Sequence, residues 1–297
     1  MKVLVFDVGG TEIKYSLMDE NLIDYDSGYV DTPLDSFESF SDLIYKIYEP
    51  HKDEADGIAM SLPGFIDTKK GRCNGGGNLK YNHGTDVGPL LSKKCGCKVV
   101  LENDGKAAAK AEHSRGVLQG CNNAAVFIIG TGVGGGLIID GKIVKGRHFT
   151  AGEYSYINTN QNDFSSYNSF VADSCSTRSL LMTYQSKTNS SQMLTGRQFF
   201  EILENDEIAK EVFNGFCRNI AIQIYNLYWL LDLEKIAIGG GISRQEILIE
   251  TINKEFNKLL DETPLSQFMP KMELEILRAK FANEANQIGA LMTYLEN

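Results

Sequence analysis

The stretches VFDVGGT, residues 5–11, and VFIIGTG, residues 126–132, decide how this chain of 297 residues folds. Each is a short apolar run of β-forming residues that ends in a tight turn of glycine and threonine, and a second apolar run follows the turn. This pattern is typical of two strands joined by a glycine turn. Because the same order of strand, turn and strand occurs in both halves, the sequence predicts a duplicated α/β unit and two domains.

Further regular elements are predicted on both sides of these stretches. Apolar residues recur at helical spacing between Phe37 and Tyr48, and shorter apolar runs stop at glycine or polar residues, as buried strands do. The predicted strands are 13–17, 57–62, 98–101, 137–139 and 236–238, and the predicted helices are 37–48, 106–112, 208–231 and about 286–295. We expect an N-terminal domain, 1–118, a C-terminal domain, 119–283, and a last helix, about 284–297, that packs back on the first domain.

Composition and charge exclude several classes of protein. Apolar residues make up 42% and charged residues 23%, as in ordinary globular domains, and no apolar run reaches the ~18–20 residues that span a bilayer. The 39 acidic and 29 basic residues give a net charge of −10, which would repel nucleic acid. Met1 and Lys2 lead directly into the first predicted strand, which predicts that there is no signal peptide. We therefore expect a cytoplasmic protein with reduced cysteines.

The six cysteines do not follow a metal-binding pattern. Cys95 and Cys97 are the closest pair in the sequence, and neither a second pair nor a histidine cluster lies near them. A structural zinc ion needs four ligands, so we expect no zinc at this pair.

The run GTGVGG, residues 130–135, satisfies the dinucleotide-binding pattern G-x-G-x-x-G, but its context does not fit. That pattern requires a helix to begin at the turn, so that the helix N-terminus receives the pyrophosphate. Here residues 137–139 are predicted to form a strand instead. The P-loop pattern G-x-x-x-x-G-K-[ST] is absent from the sequence, so neither common nucleotide motif explains the turns.

The two glycine turns predict a phosphate site. A tight turn of glycine and threonine presents backbone N–H groups and a hydroxyl group to an anion, so one turn per domain could hold the β- and γ-phosphates. Asp7, at the end of the first strand, could orient Mg²⁺ through water. Either turn by itself is more simply a hairpin. Both turns, together with Asp7 and the glycine run 239–241 between a strand and a helix, favour phosphate binding.

Five motifs occur in the order of a known family. They are DVGGT, residues 7–11; LEND, residues 101–104; GTGVGGG, residues 130–136; AGE, residues 151–153; and IGGG, residues 238–241. Together they resemble the ROK family of sugar kinases and repressors over nearly the whole chain. The resemblance implies an α/β, two-lobed actin-like ATPase fold, built from a duplicated ribonuclease H-like unit with a central cleft. Repressor members carry a helix-turn-helix domain before the first motif, and the sequence before Asp7 leaves no space for one, which favours the kinase branch.

The resemblance also implies roles for individual residues. Asp104 would be the catalytic base that takes a proton from a sugar hydroxyl, although a helix cap is the simpler role when its sequence context is taken without the family. The sugar would be bound by Asn78, Asn103, Asp104 and Glu153. The phosphates of ATP would be lined by Gly9, Gly10, Thr11, Lys14, Thr131 and Gly132, the adenosine approached by Gly239, Gly240 and Gly241, and Mg²⁺ oriented by Asp7.

The chain departs from the family pattern in one region. Most ROK kinases continue Ala-Gly-Glu to a histidine that joins a cysteine-rich zinc motif, whereas here Tyr156 stands in place of that histidine and residues 158–168 hold no cysteine. The two changes occur together, which predicts a protein without a zinc site. Tyr156 and the stretches 167–169 and 175–178 are similar to the β-glucoside kinases of the family, and the tyrosine ring could bind substrate by packing against a pyranose face.

The expected activity is transfer of the γ-phosphate of MgATP to the C6 hydroxyl of a β-glucoside such as cellobiose. The alternatives are a glucokinase or an N-acetylmannosamine kinase of the same family, and a sugar-sensing regulator that binds its ligand without turnover. A small-molecule sugar is the expected partner, with neither nucleic acid nor a membrane. The oligomeric state stays open, with a homodimer as one expectation.

Overall fold

A computed structural model describes residues 1–264, 266–268 and 273–297 and divides the chain into two compact units. The first unit comprises Met1–Ser114, Ile143–Ala151 and Glu284–Asn297, and the second comprises Arg115–Lys142 and Gly152–Asn283. Residues 143–151 lay inside the expected C-terminal domain, 119–283, but they belong to the first unit. In this segment Lys145 forms an ion pair with the buried Glu102 of the first unit.

The first unit begins with a sheet that carries helices. Its elements in chain order are β1 (Lys2–Val8), β2 (Glu12–Asp19), β3 (Asp24–Asp31), α1 (Phe37–Tyr48), β4 (Gly57–Leu62), β5 (Phe65–Asp67), β6 (Arg72–Gly75), α2 (Val87–Cys95), β7 (Lys98–Asn103) and α3 (Asp104–Arg115). Within residues 1–114, all of which are described, five strands form a sheet in the order β3-β2-β1-β4-β7. β1 pairs antiparallel with β2 and parallel with β4, and β4 pairs parallel with β7.

The second unit repeats this arrangement. Its elements are β8 (Ala124–Ile129), β9 (Val133–Ile139), β10 (Lys142–Ile143), α4 (Val171–Cys175), α5 (Thr177–Thr188), α6 (Gly196–Ile202), α7 (Glu207–Leu231), β11 (Lys235–Gly239), α8 (Glu246–Glu262) and β12 (Glu275–Arg278). Its described residues form a five-stranded sheet in the order β10-β9-β8-β11-β12, in which β8 is antiparallel to β9 and parallel to β11. The duplication predicted from the two glycine turns is therefore confirmed.

The last helix, α9 (Ala285–Leu295), belongs to the first unit and packs on β1, β4 and β7. The helix also approaches α3 closely at Gly289. A Cβ atom there would lie 1.8 Å from the carbonyl oxygen of Ala107 in α3, so this approach requires glycine. The hydroxyl of Tyr294 donates to the carbonyl oxygen of Asp56 at 2.9 Å and holds the other end of the helix. Helix α9 thus covers the sheet whose strand ends carry Asp7 and Asp104.

Each unit has its own apolar core, as the two predicted domains require. Phe6, Ile44 and Leu101 belong to the core of the first unit, whereas Phe127 and Ile220 belong to the core of the second. None of the six cysteines, all of which lie in the described part of the chain, forms a disulfide bond. Among the residues that the structure describes, none of the helices has the length and apolar character that crossing a bilayer requires.

Candidate active site

The first unit gathers polar residues at one edge of its sheet. β1, β4 and β7 run parallel, so their carboxyl ends meet at the same edge, and the register aligns Asp7 with Ser61 and Leu62 with Asn103. Ligands of open α/β sheets bind outside the carboxyl ends of the strands. Asp7, Asn103 and Asp104 therefore lie where a ligand site is expected in this fold.

Asp7 is held by a residue that no sequence motif indicates. Asn286, in α9, donates from Nδ2 to Oδ1 of Asp7 at 3.0 Å. Burial raises the pKa of Asp7 to about 6 and the neighbouring Asp104 carboxylate adds to the effect, while the Asn286 hydrogen bond and the Lys14 ammonium oppose it. No local pattern signals Asn286, because only the packing of α9 brings the end of the chain to β1.

Replacing Asp7 with asparagine should make the ligand-free protein more stable at pH 7. A carboxyl group with a raised pKa keeps its proton longer in the folded than in the unfolded chain, so its contribution to stability falls as the pH rises from about 4 to about 6. An asparagine has no such dependence. Thermal unfolding without nucleotide or Mg²⁺ should show an increased Tm for Asp7→Asn at pH 7 and little difference at pH 4.

The control for this prediction is Asp53→Asn, at an exposed carboxyl group of the same unit. This control should not reproduce the pH-dependent gain in Tm. A gain for Asp7→Asn that is the same at both pH values would contradict the raised pKa.

Asn103 and Asp104 stand at the junction of β7 and α3. Oδ1 of Asn103 accepts the N–H of Lys106 at 3.0 Å and caps the helix, in agreement with the predicted cap at Asn103 or Asp104. Nδ2 of Asn103 donates to the carbonyl oxygen of Gly64 and to Oδ1 of Asp104, each at 2.9 Å. The N–H of Gly105 also donates to Oδ1 of Asp104, at 2.8 Å. The carboxylate of Asp104 is therefore held in one orientation.

The surroundings of Asp104 also change its acidity. Burial raises its pKa above the ordinary value for an aspartate, whereas the N–H of Gly105 and the ammonium of Lys106 act in the opposite direction. A general base works best when its pKa lies closer to the operating pH than that of a free aspartate does. The net direction of the shift therefore suits a proton acceptor.

The first glycine turn lies beside Asn78. The N–H of Gly9 donates to the carbonyl oxygen of Glu12 at 2.9 Å and closes the turn, and Oγ1 of Thr32 donates to the carbonyl oxygen of Gly9 at 2.8 Å. A Cβ atom on Gly10 would lie 3.4 Å from Nδ2 of Asn78, so the two loops are in contact. The structure thus brings a predicted phosphate residue next to a predicted sugar residue.

Lys14 and Thr11 complete the predicted set in this unit. Lys14 lies in β2 opposite Asp7 in the register of the β1–β2 pair, and its ammonium is 3.8 Å from Oε1 of Glu12. Thr11 is exposed at the turn, where its carbonyl oxygen accepts the N–H of Thr32 at 2.9 Å. Thr11 is therefore accessible at the turn, and Lys14 follows it in β2.

In the second unit, the turn of Thr131 and Gly132 is braced by two neighbouring elements. The N–H of Gly130 donates to the carbonyl oxygen of Gly132 at 3.0 Å, and the N–H of Val133 donates to Oγ of Ser155 at 3.0 Å. The carbonyl oxygen of Gly130 accepts the N–H of Thr177, the first residue of α5, at 2.9 Å. No local sequence signal indicates the roles of Ser155 and α5.

The glycine run 239–241 lies beside this turn because β11 and β8 are parallel neighbours. The register places Gly239 opposite Ile128. Gly240 has φ +97°, and a Cβ atom there would lie 2.1 Å from the carbonyl oxygen of Ile129. The N–H of Ser243 donates to the carbonyl oxygen of Gly240 at 3.1 Å and fixes the bend. Two predicted nucleotide-binding stretches of the second unit thus share one edge of its sheet.

Glu153 and Tyr156 lie on a short 3₁₀ turn of the second unit. Glu153 precedes the turn Tyr154–Tyr156, and its carbonyl oxygen accepts the N–H of Tyr156 at 3.2 Å. Tyr154 is buried and stacks on Phe127, with ring centroids 5.2 Å apart, which anchors the turn to the core. Tyr156 is 67% exposed and is therefore accessible to a ligand.

The loop after Tyr156 is held by hydrogen bonds and ring contacts among its own residues. The N–H of Thr159 donates to the carbonyl oxygen of Ser169 at 2.6 Å, and Oδ1 of Asp163 accepts the N–H and the hydroxyl of Ser165, each at 2.9 Å. The rings of Phe164 and Phe170 meet edge to face at 5.4 Å. Among the described residues, no group of three or more His, Cys, Asp or Glu side chains could hold a metal ion. The expected lack of zinc stays a prediction.

The repeated sheets define the class of this protein. A five-stranded sheet with the same order of strands in each unit, and polar and glycine-rich turns at the strand ends, is the α/β fold of the actin-like ATPases. A family model described as "ROK family" matches residues 3–296. The chain belongs to the ROK family.

Individual members of the family are similar to this chain over nearly its whole length. A β-glucoside kinase from Listeria innocua is 27% identical over 305 residues, covering 100% of this chain and 98% of the relative. An N-acetyl-D-glucosamine kinase from Mannheimia succiniciproducens is 26% identical and covers 98% of each chain. The crystal structure of a ROK family protein from Streptococcus pneumoniae in complex with sucrose has a TM-score of 0.89 at 26% identity, covering 100% of this chain and 98% of that one.

Proposed function

We propose that this chain is an ATP-dependent kinase that transfers the γ-phosphoryl group of MgATP to the C6 hydroxyl of a β-glucoside. One observation carries the proposal: Asp104 sits where a parallel strand enters a helix, with its carboxylate oriented by Asn103 and Gly105 and its pKa raised by burial. Membership of the ROK family and the kinase names of two relatives support the same class of reaction.

Asp104 is the proposed general base. Phosphoryl transfer needs little covalent help from the protein; it needs alignment, charge neutralisation and a group that accepts the proton of the nucleophile. Both hydrogen bonds to Asp104 described above use Oδ1, which leaves Oδ2 as the atom proposed to accept the proton of the sugar hydroxyl. Asn103, whose side chain is fixed by Gly64 and Lys106, is the proposed hydrogen-bonding partner of the same sugar.

The residues present fit ATP and Mg²⁺. The positions where a Cβ atom would meet backbone, Gly9 at 2.9 Å and Gly240 at 2.1 Å, lie in the turns proposed to contact phosphate and adenosine. Asp7 offers the carboxylate oxygen that Mg²⁺ prefers, in line with binding through water. When bound, Mg²⁺ would neutralise charge on the phosphates. Lys14 would add a second positive charge beside Thr11.

The choice of a β-glucoside rests on Tyr156. An exposed aromatic ring can pack against the apolar face of a pyranose while its hydroxyl reaches a polar partner. Next to Glu153, the apolar surface of this ring would tolerate a second sugar or an aglycone at C1 of the bound sugar. Glucose should then be a poorer or comparable substrate, because the extra group contributes binding. The N-acetyl-D-glucosamine kinase relative, at 26% identity, makes N-acetylglucosamine the second candidate substrate.

Steady-state kinetics on cellobiose, gentiobiose, salicin, glucose, N-acetylmannosamine and N-acetylglucosamine tests the proposal. Tyr156→His should lower kcat/KM for cellobiose about 2–10-fold, the effect of one aromatic contact, with a smaller change for glucose. Tyr29→His is the control, since Tyr29 is 72% exposed and is not among the residues proposed to contact the sugar. Efficient turnover of glucose or an N-acetylhexosamine without turnover of cellobiose would reject the β-glucoside specificity.

A regulator that binds sugar without turnover is the remaining alternative. Consumption of ATP that depends on the added sugar separates the two functions directly. Sugar binding by calorimetry, with no ATP consumed on any member of the panel, would overturn the kinase proposal and leave the regulator.

A further inference from the structure

Glu102 is a carboxylate in the interior of the first unit. It is 3% exposed, and its Oε1 accepts the N–H of Asn103 at 3.0 Å, so the side chain turns back onto the end of its own strand. Burying a carboxylate is costly unless a cation and hydrogen bonds compensate for the lost water. The position of Asn103 therefore depends on the group that neutralises the buried Glu102 carboxylate.

Lys145 provides this compensation. Its Nζ lies 2.7 Å from Oε2 of Glu102 and donates to Oγ1 of Thr68 at 2.9 Å. The two carboxylate oxygens of Glu102 thus have different partners. Oε1 binds the backbone N–H of Asn103, and Oε2 binds Lys145, which is distant in the sequence. Removing the ammonium would leave Oε2 of the buried Glu102 without this ion pair, so the carboxylate would turn towards water.

The same lysine closes the loop 145–151. The carbonyl oxygen of Lys145 accepts the N–H of Ala151 at 3.4 Å, and Gly146, with φ +72°, lets the chain fold back tightly. Ala151 is the last residue of this segment in the first unit, and Glu153 follows two positions later in the sequence. Movement of Lys145 would therefore also move the residues that lead to Glu153.

We infer that Lys145 is a positioning residue whose ion pair with Glu102 holds both the Asn103-Asp104 junction and the loop that leads to Glu153. The inference rests on the proposed kinase function. It predicts two separable effects, one on catalysis through Asp104 and one on sugar binding through Glu153. Neither effect requires Lys145 to touch the substrate.

Three variants test the inference. Lys145→Met should lower kcat/KM for the preferred sugar by about tenfold to 10²-fold, the range expected when reacting groups are displaced by up to 1 Å, with KM for ATP unchanged. Lys145→Arg should retain activity within about threefold, because a guanidinium group can pair with Glu102. Lys142→Met, at an exposed lysine three residues before Lys145, is the matched control and should resemble the unmodified protein.

The double variant Glu102→Gln with Lys145→Met separates the two effects. A glutamine can accept the N–H of Asn103 without needing a cation, so kcat should recover, whereas KM for the sugar should stay high because the loop is still released. A Lys145→Met variant with a lowered Tm but with kcat and sugar KM within twofold of the original values would overturn the inference and leave a purely structural ion pair.

Hydrogen exchange gives a readout that does not need turnover. Lys145→Met should speed amide exchange at Asn103 and in residues 146–151, and Lys142→Met should not. Unchanged exchange in both places would overturn the inference even if activity fell. A native chain that phosphorylates none of the sugars would reject the proposed function, and the exchange pattern would still decide whether Lys145 holds the two segments.

Discussion

Replacing Asp104 with asparagine is expected to lower kcat for sugar phosphorylation about 10²–10⁴-fold, with the fold and sugar affinity retained. An asparagine has nearly the same shape, and its oxygen can still accept hydrogen bonds from the N–H of Gly105 and from Nδ2 of Asn103. It cannot accept the proton of the sugar hydroxyl. The loss should therefore appear in kcat, while the dissociation constant of the sugar measured by calorimetry changes little.

The pH profile gives a second readout for Asp104. Burial raises the pKa of this carboxyl group, so kcat of the unmodified protein should rise with pH as Asp104 loses its proton. The residual activity of Asp104→Asn should lack that rise. Asp53→Asn, at an exposed aspartate, serves as the control and should keep the original profile. Near-normal turnover by a folded Asp104→Asn variant would remove Asp104 from the mechanism.

Replacing Gly240 with alanine is expected to abolish ATP binding and to destabilise the second unit by more than about 4 kcal/mol, a loss that few single substitutions reach. Its Cβ atom would lie 2.1 Å from the carbonyl oxygen of Ile129, and φ +97° is unfavourable for any residue with a side chain. The obstructing atoms are backbone atoms of β8, so no side-chain movement relieves the clash. Urea unfolding and calorimetric titration with ATP measure the two effects.

Gly215→Ala is the control for this substitution. Gly215 lies on the exposed face of α7, where no atom within 4 Å would meet a new Cβ. An alanine in a helix interior is favoured over glycine by roughly 0.5–1 kcal/mol, so this variant should be as stable as the original protein or more so. Normal ATP affinity in Gly240→Ala would show that the glycine run does not approach the nucleotide.

Local sequence signals predicted the elements that are buried or strongly periodic. The apolar run 57–62 and the helical spacing from Phe37 to Tyr48 were sufficient because burial imposes those patterns on single elements. The edge strand β3 was missed because its sequence, DYDSGYVD, is mostly exposed and carries no apolar alternation. β12 was missed as well, since four residues are too few to show a period.

Only the part of the candidate site that depends on neighbouring residues was predictable from the sequence. Asn103 and Asp104 stand in one motif, and a strand end that runs directly into a helix needs a capping side chain, so local chemistry signals the junction. The hydrogen bond from Asn286 to Asp7 joins residues 279 positions apart, and no local pattern could predict it. The same holds for Lys145, whose partner Glu102 lies in another part of the chain.

The amino-acid sequence by itself determined the repeated strand–turn–strand unit, the glycine turns and the carboxylate at the start of α3, because each depends on the conformational preferences of neighbouring residues. Only the tertiary structure decided that loop 145–151 belongs to the first unit, that Asn286 orients Asp7, and that burial raises the pKa values of Asp7 and Asp104. These properties depend on which distant groups exclude water from a carboxylate, and long-range packing sets that.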